Sequence, residues 1–205
     1  MSANRQLNWI SEDEYRAGEE HSPVKHEWFR GEVFAMAGGT LNHATIAANI
    51  TTAARTTLRG RRCTALGGEM RVKIEANGLH TYPDALIYCP PSRFEGRGDN
   101  TLLTPTVIFE VLSPSTQEYD RGDKFQFYAL IDTLTDYVLV EAERVSIEHF
   151  RRTDEGWLLR SYGRRDEVLR FPDLEIELPL GEIYEDLEVS DRADAPHQPL
   201  RREED

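Results

Sequence analysis

Apolar and polar positions alternate along the chain in two rhythms. Over residues 40–58, Ile46, Ala47, Ile50, Ala53, Ala54 and Leu58 recur at spacings of three and four, and Gly60 follows; this predicts a helix. Shorter apolar runs at residues 70–74, 82–89 and 106–112 predict strands, the last two joined by the turn-rich loop 90-PPSRFEGRGDN-100. A second helical pattern covers residues 119–131. A strand at 137–141 and a meander through 146–151 and 157–161 come next. Upstream, 11-SEDEYRAG-18 carries a capping-box signature at Ser11 and Glu14, and residues 24–39 read as a hairpin turning at Arg30-Gly31. Residues 166–187 alternate like edge strands before a short helix.

The core order is therefore helix, three strands, helix, strand. A helix connecting two strands implies at least one parallel pair. The expected fold is a mixed sheet flanked by helices, α/β in class with α+β left open. Residues 1–190 are expected to form one domain, and 191–205 a disordered, charge-rich tail.

With 39% hydrophobic and 30% charged residues among 205, the composition is that of a soluble globular protein. No apolar run is long enough for a transmembrane helix, and residues 1–20 contain no apolar signal core, so a cytoplasmic location is expected. Cys63 and Cys89 lie far apart without metal-ligand spacing; they are expected to be reduced and buried, and not to hold zinc. A net charge of −13 argues against a phosphate-binding surface. Much of that acidity sits near the termini, however. The middle of the chain carries arginine clusters at 55, 59, 61 and 62, at 151 and 152, and at 160, 164 and 165.

Three charges fall where the pattern calls for apolar residues. Glu110 interrupts 106-TVIFEVL-112, a run with both faces covered, where an unpaired carboxylate is costly. Asp84 opens the strand 82-YPDALIYC-89, although Pro-Asp also opens ordinary strands. Lys124 lies on the apolar stripe of its helix, between Tyr128 and Ile131. It could instead pair with Asp120 four residues before it, or extend outward along its stem. If the two strands are neighbours, Asp84 and Glu110 offer hard oxygen ligands to one Mg²⁺ or Mn²⁺, with an ammonium close by. Metal-dependent cleavage of a phosphodiester needs that set.

The strand-borne Pro83-Asp84, the acid on the next strand and the helix after it resemble the PD-(D/E)xK nuclease fold. The segments 25-KHEWFRGEVFAMAGG-39, 42-NHATIAANI-50, 69-EMRVKI-74, 82-YPDALIYC-89, 109-FEVLSPSTQEYDRGDKFQFY-128 and 136-DYVLVE-141 resemble the Uma-two family. Its members are described as restriction endonucleases and are common in cyanobacteria and other bacteria. The resemblance spans about residues 9 to 190. It departs from the nuclease pattern where the motif lysine should follow the acid by two residues, since Leu112 stands there. The resemblance implies that Lys124 supplies the missing ammonium. It also implies an upstream acid, for which Glu32 is the candidate; an exposed hairpin glutamate is the other reading of that residue. His43 reads as a site contact or as a cap on its own helix. Ser113 and Ser115, in 113-SPST-116, read as a phosphate cradle or as a helix cap.

The expectation is a Mg²⁺- or Mn²⁺-dependent endonuclease acting on DNA, with Asp84, Glu110, Lys124 and Glu32 as catalytic residues. Asp84 and Glu110 would bind the metal, and His43, Ser113 and Ser115 the substrate. Cutting both strands would favour a homodimer. The alternatives are a catalytically silent binding or regulatory protein with the same fold, and a phosphohydrolase of small phosphoesters.

Overall fold

The computed structural model describes residues 9–192 except 37, 97, 99 and 115. Of the tail expected to be disordered from 191 on, Asp191 forms a β-bridge with Val145 and the Arg192 N–H donates to the Gly163 carbonyl. Residues 193–205, and Ser115, lie outside the described residues. Helix α1 (Glu12–Glu19) opens with the capping box read from the sequence: the Ser11 hydroxyl accepts from the Glu14 N–H, and the Glu14 carboxylate accepts from the Ser11 N–H. Strands β1 (His26–Phe29) and β2 (Glu32–Ala35) then pair, with Phe29 opposite Glu32. Arg30 and Gly31 both adopt positive φ (50° and 92°), as a two-residue type I′ turn requires. Helix α2 (Leu41–Thr57) is capped by Thr40 and buries Ile46, Ile50, Ala53 and Ala54.

Next come β3 (Thr64–Gly67), β4 (Arg71–Ile74), β5 (Leu79–Thr81), β6 (Ala85–Tyr88), β7 (Phe94–Glu95), β8 (Thr101–Leu102) and β9 (Val107–Leu112). The expected helix over 119–131 is two helices, α3 (Gln117–Arg121) and α4 (Asp123–Tyr128), broken at Gly122. A Cβ on Gly122 would stand 3.0 Å from the Glu118 carbonyl oxygen, so the break is built around the missing side chain. The chain continues through β10 (Asp136–Glu141), β11 (Ile147–Thr153), β12 (Gly156–Tyr162), β13 (Val168–Phe171), β14 (Ile176–Pro179) and α5 (Leu180–Ile183).

The architecture is mixed α+β. A central sheet has the order β12-β11-β10-β9-β6-β3, and a second sheet the order β2-β1-β5-β4-β8-β7. The predicted parallel pair is β9 with β10, joined through α3 and α4. The first core strand of the central sheet is β3, not the run at residues 70–74, which lies in the second sheet as β4. Both runs are short and half apolar, so periodicity could not tell them apart.

Val107, Phe109 and Val111 pack with α2, α5 and the β13–β14 hairpin. On the other face of β9, Ile108 and Leu112 pack with Tyr128, Tyr137 and residues of the second sheet. The two covered faces make every residue of β9 buried, Glu110 among them.

The cysteines are a disulfide rather than reduced thiols. Thr64 pairs with Tyr88 across β3 and β6, and one further step of that register brings Cys63 opposite Cys89. The sheet thus joins residues that the 26-residue separation had made look unrelated. No helix among the described residues is long and apolar enough to cross a membrane.

Candidate active site

The register of the central sheet assembles the site. Ala85 of β6 lies opposite Phe109 of β9, so Asp84, the residue before β6, comes up against the Glu110–Val111 stretch of β9. Asp84 is fixed by its neighbours: Oδ2 accepts from the Val111 N–H at 2.7 Å and lies 3.3 Å from His43 Nε2. His43 reaches it from the first turn of α2. This pairing with Asp84 raises the imidazole pKa against the opposing effect of burial.

Glu110 is 4% exposed. Its Oε1 accepts from the Tyr128 hydroxyl at 2.8 Å and lies 3.0 Å from Lys124 Nζ. Lys124 points inward, as the helical pattern predicts, and Leu112 is an apolar core residue. The ammonium also lies 3.2 Å from Glu27 and 3.4 Å from Asp120. Glu27, on β1, additionally accepts a short hydrogen bond from the Thr81 hydroxyl of β5.

One ammonium therefore faces three carboxylates, with Asp84 close enough to act on the same charges. Burial pushes the Glu110 carboxyl up to about 8; Asp120 and Asp84 push the same way, and Lys124 opposes them. Asp120 is likewise raised, chiefly by burial. Burial disfavours the Lys124 charge, but Glu110 and the surrounding acids outweigh it and hold the pKa well above the ordinary lysine value.

These residues suit a divalent cation. The donors are hard carboxylate oxygens, and the cluster carries more negative charge than Lys124 neutralises. Among the described residues, neither Asp84 Oδ1 nor Glu110 Oε2 accepts a hydrogen bond, leaving one oxygen of each carboxylate for a ligand.

The structure pairs Asp84 with His43 and Glu110 with Lys124, and Asp84 lies near enough to act on the charge of Glu110. Glu32 is exposed at the start of β2, and no hydrogen bond or ion pair among the described residues ties it to this cluster. Sequence reading missed Glu27 as the upstream acid near Lys124. In the fold Phe29 packs on Phe127 and the period of two along β1 turns Glu27 to the same side, but the sequence does not name that partner. Ser113 follows β9 directly; its hydroxyl lies 3.0 Å from that of Thr116, and its carbonyl accepts from the N–H groups of Thr116 and Gln117.

A second ligand-capable group was also unread. Glu12 of α1, His80 of β5 and Glu95 of β7 bring ligand atoms within 4.8 Å of one another. His80 is fully buried, which lowers its pKa to about 4. The Lys73 ammonium lies 2.5 Å from Glu12 and 3.1 Å from Glu95, in the place a cation would take. Three residues spread over three elements left no spacing to recognise.

The fold is of the nuclease type, restriction-endonuclease-like in architecture. Residues 12–181 match the Uma2 family, described as "Putative restriction endonuclease", and the chain belongs to that family. Similar proteins include "Uncharacterized protein slr1290" of Synechocystis sp., 35% identical over 160 residues that cover 78% of this chain and 83% of that one. Another is "Uncharacterized protein sll1609" of the same organism, 27% identical over 80% of this chain and 93% of the other. A solved structure from Anabaena variabilis, described as "a putative nuclease belonging to DUF820", superposes with a TM-score of 0.68 at 15% identity. The match covers 85% of this chain and 97% of that one, and establishes similarity of fold.

Proposed function

We propose that this protein is a divalent-cation-dependent endonuclease hydrolysing phosphodiester bonds of DNA, with Asp84 and Glu110 as ligands of Mg²⁺ or Mn²⁺. The observation that carries the reading is a buried Glu110 with Lys124 Nζ 3.0 Å away and the Asp84 carboxylate, held on the Val111 N–H, near enough to act on its charge. A cation bound there would polarise a phosphoryl oxygen and lower the pKa of a bound water.

The chain's own groups do the rest. Lys124 keeps a fixed positive charge beside Glu110, suited to orienting the attacking water or offsetting negative charge that develops on the phosphate. Glu27 and Asp120 hold that ammonium in place, and Tyr128 orients Glu110. His43 orients Asp84 and can meet a phosphate oxygen, and Ser113, directly past β9, is a further substrate contact, as is Ser115 in this reading. Glu32 has no role in this reading; Glu27 takes the upstream position. The enzyme would work in the cytoplasm, and as a homodimer when it cuts both strands, because one chain carries one Asp84–Glu110 pair.

A catalytically silent binding protein is the second reading. It is favoured by the internal pairing of Asp84 with His43 and of Lys124 with three acids. Supercoiled plasmid incubated with Mg²⁺ or Mn²⁺ separates the two. The wild type should nick or linearise it, while Asp84→Ala, Glu110→Ala and Lys124→Ala should each lose at least about 100-fold in rate. Lys124→Ala should retain metal binding. Failure of the wild type to cut with either metal at any salt concentration would overturn the nuclease reading.

A further inference from the structure

From Val33 through Gly68 the chain carries four arginines and no aspartate or glutamate, in a protein whose net charge is −13. This segment contains the whole of α2. Ala44, Ala48, Thr52, Arg55 and Arg59 are exposed and recur at spacings of three and four, so they form one solvent-facing stripe on or just past the helix. Two cavities lie along it. One, of about 390 Å³, is lined by Ala48, Thr51, Thr52, Gly67, Gly68 and Asp84. The other, of about 500 Å³, is lined by Thr52, Arg55, Arg59, Arg61 and Cys63 among others. Thr52 borders both, so they adjoin as one groove that starts at Asp84 and ends among arginines.

The arginines elsewhere are mostly engaged within the fold. Arg152 donates to the carbonyls of Leu134, Ala129 and Ile131, and Arg165 to those of Tyr184, Leu187 and Val189. Arg151 pairs with Asp173, and Arg164 with Asp166. The α2 cluster differs. The Arg59 side chain makes no hydrogen bond or ion pair among the described residues. Arg55 uses one nitrogen on the Ala65 carbonyl, and Arg61 one on the Leu174 carbonyl with Glu175 at 3.9 Å. An arginine in the last turn also suits the negative end of a helix, which accounts in part for Arg55 but not for Arg59 or Arg61.

We infer that this groove is a track for the phosphodiester backbone of a DNA strand, with Arg55, Arg59 and Arg61 as its phosphate contacts, leading to the centre at Asp84. Its floor of alanine, threonine and glycine is small and uncharged, which lets a strand lie close. Ala48 to Arg59 spans about 17 Å at the rise of an α-helix, room for several backbone phosphates. Guanidinium groups bind phosphate oxygens in a fork, and contacts of this kind do not read sequence. The inference deepens the nuclease reading and rests on it for the identity of the strand, but it can be tested apart from cleavage.

The test measures the affinity of the full chain for a labelled DNA duplex, without divalent cation, as a function of KCl concentration. Each phosphate neutralised on duplex DNA contributes about −0.9 to the slope of log K against log salt. Arg59→Ala removes no side-chain hydrogen bond or ion pair among the described residues and should lessen the slope by about one. Arg55→Ala/Arg59→Ala/Arg61→Ala should lessen it by two to three and weaken binding at low salt at least about tenfold. Arg160→Ala, on β12, should match the wild type. Plasmid cleavage and Mn²⁺ calorimetry are run on the same proteins. If the slopes fall as stated but no protein cuts, the track stands and the nuclease reading falls. If the wild type cuts and Arg59→Ala has an unchanged slope, the nuclease reading stands and the track is wrong. No DNA binding by the wild type at low salt, or an equal loss in Arg160→Ala, also overturns the track.

Discussion

Glu110 joins the strand pattern to the chemistry. It is legible in the sequence because it breaks an apolar run, and Lys124 because it shares a stripe with Tyr128 and Ile131. Glu27 is not legible in that way, since a charged residue in a hairpin strand is ordinary until the partner of its face is known. A buried ion pair of this kind is a poor source of stability, because desolvation offsets most of the attraction. Glu110 shows the cost directly. Burial raises its carboxyl from 4.5 to about 8, so between those values the folded state holds a proton that the unfolded state has released. The stability tied to that proton is present below about pH 4.5 and is lost as pH rises through 8. Glu110→Gln keeps the shape and removes the titration. We expect it to stabilise the metal-free protein at pH 8.5, on the order of 1–2 kcal/mol, with little gain at pH 5. Urea unfolding in EDTA at the two pH values measures this, and equal effects at both would contradict the assignment.

At the scale of elements, the helix carrying Lys124 depends on what holds it after the break at Gly122. Arg152 of β11 reaches under the end of α4 and donates to the carbonyls of Ala129, Ile131 and Leu134, with its guanidinium over the Trp157 ring. Arg152→Ala leaves those three acceptors without their charged donor. It should cost about 2–3 kcal/mol of unfolding free energy and should slow any Lys124-dependent cleavage as well. A loss below about 0.5 kcal/mol by urea unfolding would mean that the loop holds itself. The sequence announced helix–strand alternation and the parallel β9–β10 pair, because a helix between two strands implies a crossover. It did not announce the break at Gly122, since one glycine inside an apolar period reads as tolerated. Nor did it announce the disulfide, which exists because the β3–β6 register lays Cys63 against Cys89. Pairing partners are non-local, and neither composition nor spacing carries them.

For the whole molecule, the net charge of −13 misdescribes the surface that matters. Acids concentrated elsewhere hide an acid-free segment around α2, and only the fold shows that this segment borders Asp84. Two sheets and their helices bury β9 on both faces, and that burial turns a glutamate into a strong demand for positive charge. Lys124 meets part of the demand, and we propose that one divalent cation shared by Asp84 and Glu110 meets the remainder. The most direct test is isothermal calorimetry of Mn²⁺ into the metal-free protein, beside Asp84→Ala and Glu110→Gln. One site per chain, lost in both variants and kept in Lys124→Ala, is the predicted result. Binding that survives both carboxylate substitutions, or that vanishes instead in a Glu12→Gln variant, would place the cation elsewhere and contradict the account.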